Sequence, residues 1–218
     1  DRQIVHVVRP VEDFILHAKT WMRELWANMD GEDRMVGYLV ANAEWNRVAE
    51  IAAETPELLA EAVRSWVLNQ PSWAVQFLVP PWDLRQARVI GAISETAAIR
   101  DSYNISVLDW EKVAGAFLQI KARLGTLKDG EAIVGIRGGG AENGAAYGTY
   151  RLAVRAGAAS CERVEAAEPD AVWDASLAAK LLFGPLPPAY TGEMPERLRA
   201  LLESWLPLPL HWPEQDQV

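Results

Sequence analysis

Apolar positions along the chain follow two rhythms, a period near two and a period near 3.6, and the switches between them mark out elements. Residues 3–8, QIVHVV, are β-rich and stop at Pro10. In the run VEDFILHAKTWMRELW, Val11, Phe14, Ile15, Ala18, Met22 and Leu25 share one face at helical spacing. Glu12 and Asp13 stand in its first turn, where the helix dipole favours acids. That spacing predicts one helix reaching Leu25. MDGED is a break, and MVGYLVANAEWNRVAEIAAE reads as a hairpin turning around Asn42–Asn46. Thr55-Pro56-Glu57 is a helix start, with Thr55 as the cap and Pro56 in the first helical position. Its buried stripe is Leu58, Leu59, Ala62, Val63, Trp66 and Val67, and Asn69-Gln70-Pro71 ends it. WAVQFLV at 73–79 predicts a strand halted by prolines, Asp83 caps a short helix to about Ile90, and an extended stretch follows to about Arg100.

The second half starts with a predicted strand, Ile105–Leu108. Asp109 then caps a helix with Trp110, Val113, Phe117, Ile120 and Leu124 on one face. After the turn Lys128-Asp129-Gly130, strands are expected near 131–137, 149–156 and 159–166. A helix from about Asp174 to Leu182 stops at Phe183-Gly184-Pro185, with Gly as its C-cap. A proline-rich connector leads to a last helix, about Pro195–Trp205, with Leu198, Leu201, Leu202 and Trp205 inward. The fold class is therefore α+β. No repeat is visible, and the halves divide best as 1–103 and 104–218.

Composition narrows the function classes. The chain has 218 residues, half of them hydrophobic and 23% charged, enough for a core without staples. The net charge of -9 has its acids spread along both halves, which disfavours nucleic acid and mildly favours cationic small molecules. One cysteine, Cys161, rules out an internal disulfide and fits a reducing, cytoplasmic compartment. No apolar run approaches the roughly 18 residues that cross a bilayer, so no membrane is expected. The start, DRQIVHVV, lacks Met and suggests a fragment or processed product. Ten tryptophans are many for this length, and core anchoring is the ordinary use of such residues.

Few motifs carry chemistry. RGGGAENGAAYG, Arg137–Gly148, has the glycines of a phosphate cradle but neither Gly-Lys-Ser/Thr nor a following helix, so it reads as a hairpin loop. His6, His17 and His211 have no zinc spacing; His211, in the tail, is the one of interest. Cys161 has no histidine near it in sequence and reads as a small buried hydrophobe. The tail, LPLPLHWPEQDQV, is different. Pro207, Pro209 and Pro213, and to a lesser degree Pro195, lower the entropy lost on fixing it, while Leu208, Leu210 and Trp212 give it something to bury. A docked tail is expected, with its terminal carboxylate held at a particular place.

SVLDWEKVAGAFL, KDGEAIVGI, DASLAAKLLFGPLPP and SWLPLPLHWPEQDQV resemble the C-terminal part of bacterial GNAT-family N-acetyltransferases of the enhanced-intracellular-survival (Eis-like) type. The resemblance covers 105–218 closely and 1–104 through order of elements. It implies a degenerate second GNAT-like domain followed by a sterol-carrier-protein-like domain. An N-terminal GNAT domain of the same protein, missing here, would bind acetyl-CoA. Acetyl-CoA-binding GNAT domains carry a glycine-bearing turn between central strand and helix; the corresponding junction here, AEIAAETPELL, has no glycine, and its acids would repel phosphate. The resemblance further assigns the α-carboxylate of Val218 as the base toward an amine substrate. Asp216 and Glu214 would add negative potential for a cationic amine.

Two other readings stand beside this one. A sterol-carrier-like module would hold an apolar ligand in an open groove lined by Trp110, Phe117, Trp173 and Leu181, whereas a scaffold would be packed shut. A structural assembly domain, forming a homo-oligomer, would be favoured by an exposed Trp82 or Trp45.

Overall fold

The computed structural model describes residues 10–71, 73–80, 82–99, 105–138 and 146–210, without the side chains of His17, Ala146 and Tyr147. The fold is α+β, and the chain divides into two compact units, with the second running Ile99–Leu210. The sequence-predicted strand 3–8 lies outside the described residues.

The first unit opens with α1 (Val11–Thr20) and a sheet of β1 (Arg23–Met29), β2 (Met35–Asn42), β3 (Arg47–Ala53) and the short β4 (Gln76–Phe77), in the order β1-β2-β3-β4. The first three strands form an antiparallel meander, and β4 is parallel to β3. The crossover between β3 and β4 is α2 (Pro56–Leu68), and α3 (Leu84–Gly91) follows β4. Trp26, Leu39 and Ile51 are cross-strand neighbours on one face, where Leu39, Ala41, Val48 and Ile51 meet Leu59, Ala62, Val63 and Trp66 of α2 and Ile90 of α3. Leu25, Val40 and Glu50 share the opposite face, where Phe14 of α1 sets its ring edge-on to Tyr38.

Several expectations need correction here. The first helix does not reach Leu25. It ends at Thr20, whose hydroxyl donates to the Leu16 carbonyl, and Met22 takes a left-handed φ of 51°. Leu25 then sits in β1, because pairing a whole strand with β2 outweighs the helical spacing of a few apolar side chains. The strand 73–79 shrinks to Gln76–Phe77, and Trp73 is 99% exposed. No strand forms across 92–99. On α2, Val67 is exposed and only Leu59, Ala62, Val63 and Trp66 are buried.

The hairpin around Asn42–Asn46 is present. Asn42 holds it: its side-chain Oδ1 accepts from the Arg47 main-chain amide, and its Nδ2 donates to Glu44 Oε2 and Asn46 Oδ1. Thr55, Asp83 and Asp109 cap helices as the sequence indicated, accepting from the amides of Leu58, Gln86 and Lys112, and Asp174, expected inside the start of a helix, is itself the cap, accepting from the Leu177 amide.

The second unit contains α4 (Trp110–Leu124), β5 (Gly130–Arg137), β6 (Ala146–Arg155), β7 (Ala158–Val164), β8 (Ala171–Asp174), α5 (Ala175–Phe183) and α6 (Glu196–Trp205). Sheet order is β7-β6-β5-β8, with β8 parallel to β5 and the other pairs antiparallel. Alternation sends Ala132, Val134, Ile136, Tyr150, Leu152, Val154 and Trp173 into the core. The opposite face is polar: Arg151 bridges Glu131 and Glu162 across three strands, and Arg155 also reaches Glu131. The core face is covered by Trp110, Ala114 and Leu118 of α4, by Ala178, Leu181 and Leu182 of α5, and by Leu198, Leu201, Leu202 and Trp205 of α6. Ile105–Leu108, expected as a strand, is not one, and Leu108 is exposed. Of the face expected for α4, Trp110 is buried and Val113 and Phe117 are half-buried against the core, while the other deeply buried positions are Ala114, Gly115 and Leu118. Gly115 faces Cys161 of β7, and a Cβ there would meet the Cys161 Cβ at 3.5 Å, an ordinary contact distance.

Candidate functional site: the junction, the docked segment and a buried pair

The β3–α2 junction is where a βαβ crossover offers a helix N-terminus to an anion. Here that N-terminus is occupied by the chain itself. Pro56 has no amide hydrogen. The Leu58 amide donates to Thr55 Oγ1 at 3.2 Å. Glu57 is held below the usual carboxylate range by its own backbone amide first and by the Thr55 hydroxyl second. Glu54 adds a second acid, with the Arg34 guanidinium 3.4 Å away, and Arg85 donates to the Ala53 carbonyl at 2.9 Å. The first-turn donors are thus taken up, and the local acids oppose a phosphate.

The start of the C-terminal segment is fixed in the second unit. Trp205 is fully buried and donates Nε1–H to the Lys128 carbonyl at 2.8 Å, while the Lys128 amide donates to Ser204 Oγ at 2.8 Å. The Leu206 amide donates to the Leu202 carbonyl and the Leu208 amide to the Leu182 carbonyl, at 2.8 and 2.6 Å. Leu206 and Leu208 are buried, and Leu210 packs against the same core. From α4, Lys121 Nζ donates to the Pro207 carbonyl at 3.1 Å. The docking expected of the tail is therefore present through Leu210. The sequence-predicted site residues Glu214, Asp216 and Val218, with His211 and Trp212, lie outside the described residues.

A third place was missed by sequence reasoning. Glu50 is 7% exposed on β3, and Tyr38 Oη donates to its Oε1 at 2.6 Å. The signal was available: an acid inside the apolar run VAEIAA. On the opposite face of the same sheet, Trp26 stands edge-on to both Trp45 and Trp66, at 5.4 and 5.5 Å, and Trp45 Nε1 donates to Glu24.

The remaining candidates are placed as follows. β5 and β6 pair antiparallel up to Arg137 and Ala146, so the glycine-rich run does connect a hairpin. Cys161 lies in β7 against the core, its Sγ 4.0 Å from the Trp110 carbonyl; burial first and nearby acids second push its pKa to about 12. A thiol so protonated is no nucleophile at neutral pH. His17 lies in α1, and His6 is outside the described residues. Among the described residues, no group of three or more His, Cys, Asp or Glu is placed to hold a metal, and no helix is long and apolar enough to cross a membrane. Of the residues named for an apolar groove, Trp110, Trp173 and Leu181 are buried in the core, and Phe117 packs edge-on to Phe183 at 5.6 Å. Trp45 and Trp82 are half-buried rather than exposed.

Comparison of the chain with family models, with curated proteins and with solved structures gives no match.

Proposed function

We propose that this chain is the C-terminal, scaffolding portion of a GNAT-type N-acetyltransferase that moves an acetyl group from acetyl-CoA to an amine. In this reading a further N-terminal domain binds acetyl-CoA, and the present chain supplies the base. The first unit is a GNAT-like half that has lost its cofactor site, and the second is a sterol-carrier-like domain packed shut.

The observation that carries the reading is the β3–α2–β4 crossover. It sets a helix N-terminus at the end of an inner strand, where such a half would hold a pyrophosphate, and then fills that position with Thr55, Pro56 and Glu57. The segment docked through Leu210 is the second support. It starts the last eight residues from a fixed point, and carboxylates of Glu214, Asp216 and Val218 follow. A carboxylate beside the reacting nitrogen takes the proton that an ammonium must lose before attacking a thioester.

Two experiments test this. Calorimetry should show acetyl-CoA binding to the natural full-length protein and none to residues 1–218 alone; binding by this chain would overturn the reading of the junction. Adding one or two residues after Val218 in the full-length protein should lower kcat for amine acetylation by about 10²-fold or more. Unchanged acetylation would remove the terminal carboxylate from the mechanism.

A further inference from the structure

Glu24 lies in the edge strand β1, two residues before Trp26 and, by strand alternation, on the same face of the sheet. Its Oε2 accepts one hydrogen bond, from Trp45 Nε1, and among the described residues no lysine or arginine forms an ion pair with it. Its setting is aromatic. The Trp26 and Trp45 ring planes stand at 84° and those of Trp26 and Trp66 at 71°, with centroids 5.4 and 5.5 Å apart. The three indoles come from three places in the fold: the edge strand, the β2–β3 loop and α2. Trp66 is buried, Trp45 is half-buried, and Trp26 keeps 40% of its surface open to solvent.

Packing alone does not call for these indoles. Trp45 takes a left-handed φ of 58°, a region that strains a residue with a Cβ and that glycine enters freely. Strain of this kind gathers where a side chain is held for a task. Trp66 buries its Nε1–H without an acceptor, a loss that phenylalanine or leucine in its place would avoid. What tryptophan supplies beyond bulk is the π face that attracts cations best. A carboxylate without a counter-cation, set among such rings at the edge of a sheet, attracts positive charge, and the chain's net charge of -9 draws cations toward it. Donor count narrows the class. With Oε2 taken by Trp45, Glu24 keeps Oε1 for a ligand. A primary ammonium brings three N–H donors and a guanidinium five, more than one carboxylate oxygen satisfies. A methylated ammonium brings few or none, and its methyl groups give the rings apolar surface to cover.

We propose that Glu24, Trp26, Trp45 and Trp66 form a binding corner for a small molecule bearing a methylated ammonium group, whose charge is met by Glu24 and whose methyl groups lie against the indoles. The corner lies wholly within the first unit and does not rest on the acetyltransferase reading.

The test titrates choline into the full chain carrying isotope-labelled tryptophan and follows the Trp45 indole N–H resonance, assigned by its loss in Trp45→Phe. Choline should shift this resonance saturably. The neutral alcohol in which a tert-butyl group replaces the trimethylammonium has the same shape without the charge, and it should bind about tenfold or more weakly. Glu24→Gln keeps an oxygen to accept from Trp45, so the melting temperature should hold while choline binding weakens by about tenfold or more. Trp26→Leu should weaken choline as well. A Trp45 resonance that choline leaves in place overturns the proposal, and so do shifts confined to other tryptophans. Equal binding of choline and the neutral alcohol overturns it too, as does choline binding in Glu24→Gln as tight as in wild type. The two ligands are compared on the wild-type protein, so that comparison decides the matter even where a variant fails to fold.

Discussion

Tyr38 and Glu50 stand diagonally across β2 and β3, and the tyrosine hydroxyl donates to the glutamate Oε1 at 2.6 Å on a face where Glu50 is almost fully buried. Cross-strand register makes this contact: Val40 lies directly opposite Glu50, so Tyr38, two residues away on the same side, reaches it with its long ring. Tyr38→Phe removes one hydrogen bond from a carboxylate that is almost wholly out of water. Tyr38→Phe should therefore lower unfolding stability by about 1–3 kcal/mol. Urea titration checks this; stability equal to wild type would mean that the pair contributes nothing net.

Thr55 ties the start of α2 to its own first turn. Thr55→Ala should destabilise by about 1 kcal/mol, and Thr55→Ser by much less, because serine keeps the capping oxygen. The measurement is again chemical denaturation. Equal losses from the two substitutions would show that the methyl group, rather than the cap, is what matters.

Cys161 is protonated throughout the physiological range, its pKa raised to about 12 by burial and then by neighbouring acids. The native protein should resist iodoacetamide at pH 8 and react once unfolded. The sign of the linkage also follows. A folded pKa above the unfolded one means that the group's contribution is complete below the ordinary thiol value of 9.0 and is lost as pH rises toward 12. Cys161→Ser should flatten that part of the stability profile; rapid alkylation of the native thiol would contradict the burial itself.

Trp205 joins the core of the second unit to the docked segment, since its ring is fully buried and its Nε1–H is given to the Lys128 carbonyl. Trp205→Ala should cost about 3–5 kcal/mol through the cavity it leaves. Trp205→Phe should cost less but still release the Lys128 carbonyl. Proteolysis after Leu206 should quicken in both variants, and a tail equally resistant in Trp205→Ala would show that it is held by other contacts alone.

Local chemistry made much of this fold legible. Three caps, at Thr55, Asp83 and Asp109, mark helix starts because a side-chain oxygen next to an apolar stripe has one efficient use. The hairpin at Asn42–Asn46 and the apolar face of α6 were legible for the same reason: both depend on residues near one another in the chain. The second unit's meander was readable from alternation. By contrast, residues 21–29 carry a helical spacing as far as Leu25, yet become strand β1 because β2 offers a complete ladder of partners. The short strand Ala171–Asp174 was missed, since its only justification is a parallel neighbour, β5, distant in sequence.

The candidate site divides along the same line. Sequence by itself determined that the tail is rich in proline and apolar residues up to its acids, and that the AEIAAETPELL junction has no glycine with which to admit a phosphate. Those are properties of residue types. Only the tertiary structure decided that the first-turn donors of α2 are already taken, that Glu50 is buried with Tyr38, and that Lys121 holds Pro207 across 86 residues of chain. Each depends on which groups long-range packing brings within about 3 Å, a distance set by the folded arrangement of elements and not by spacing along the chain.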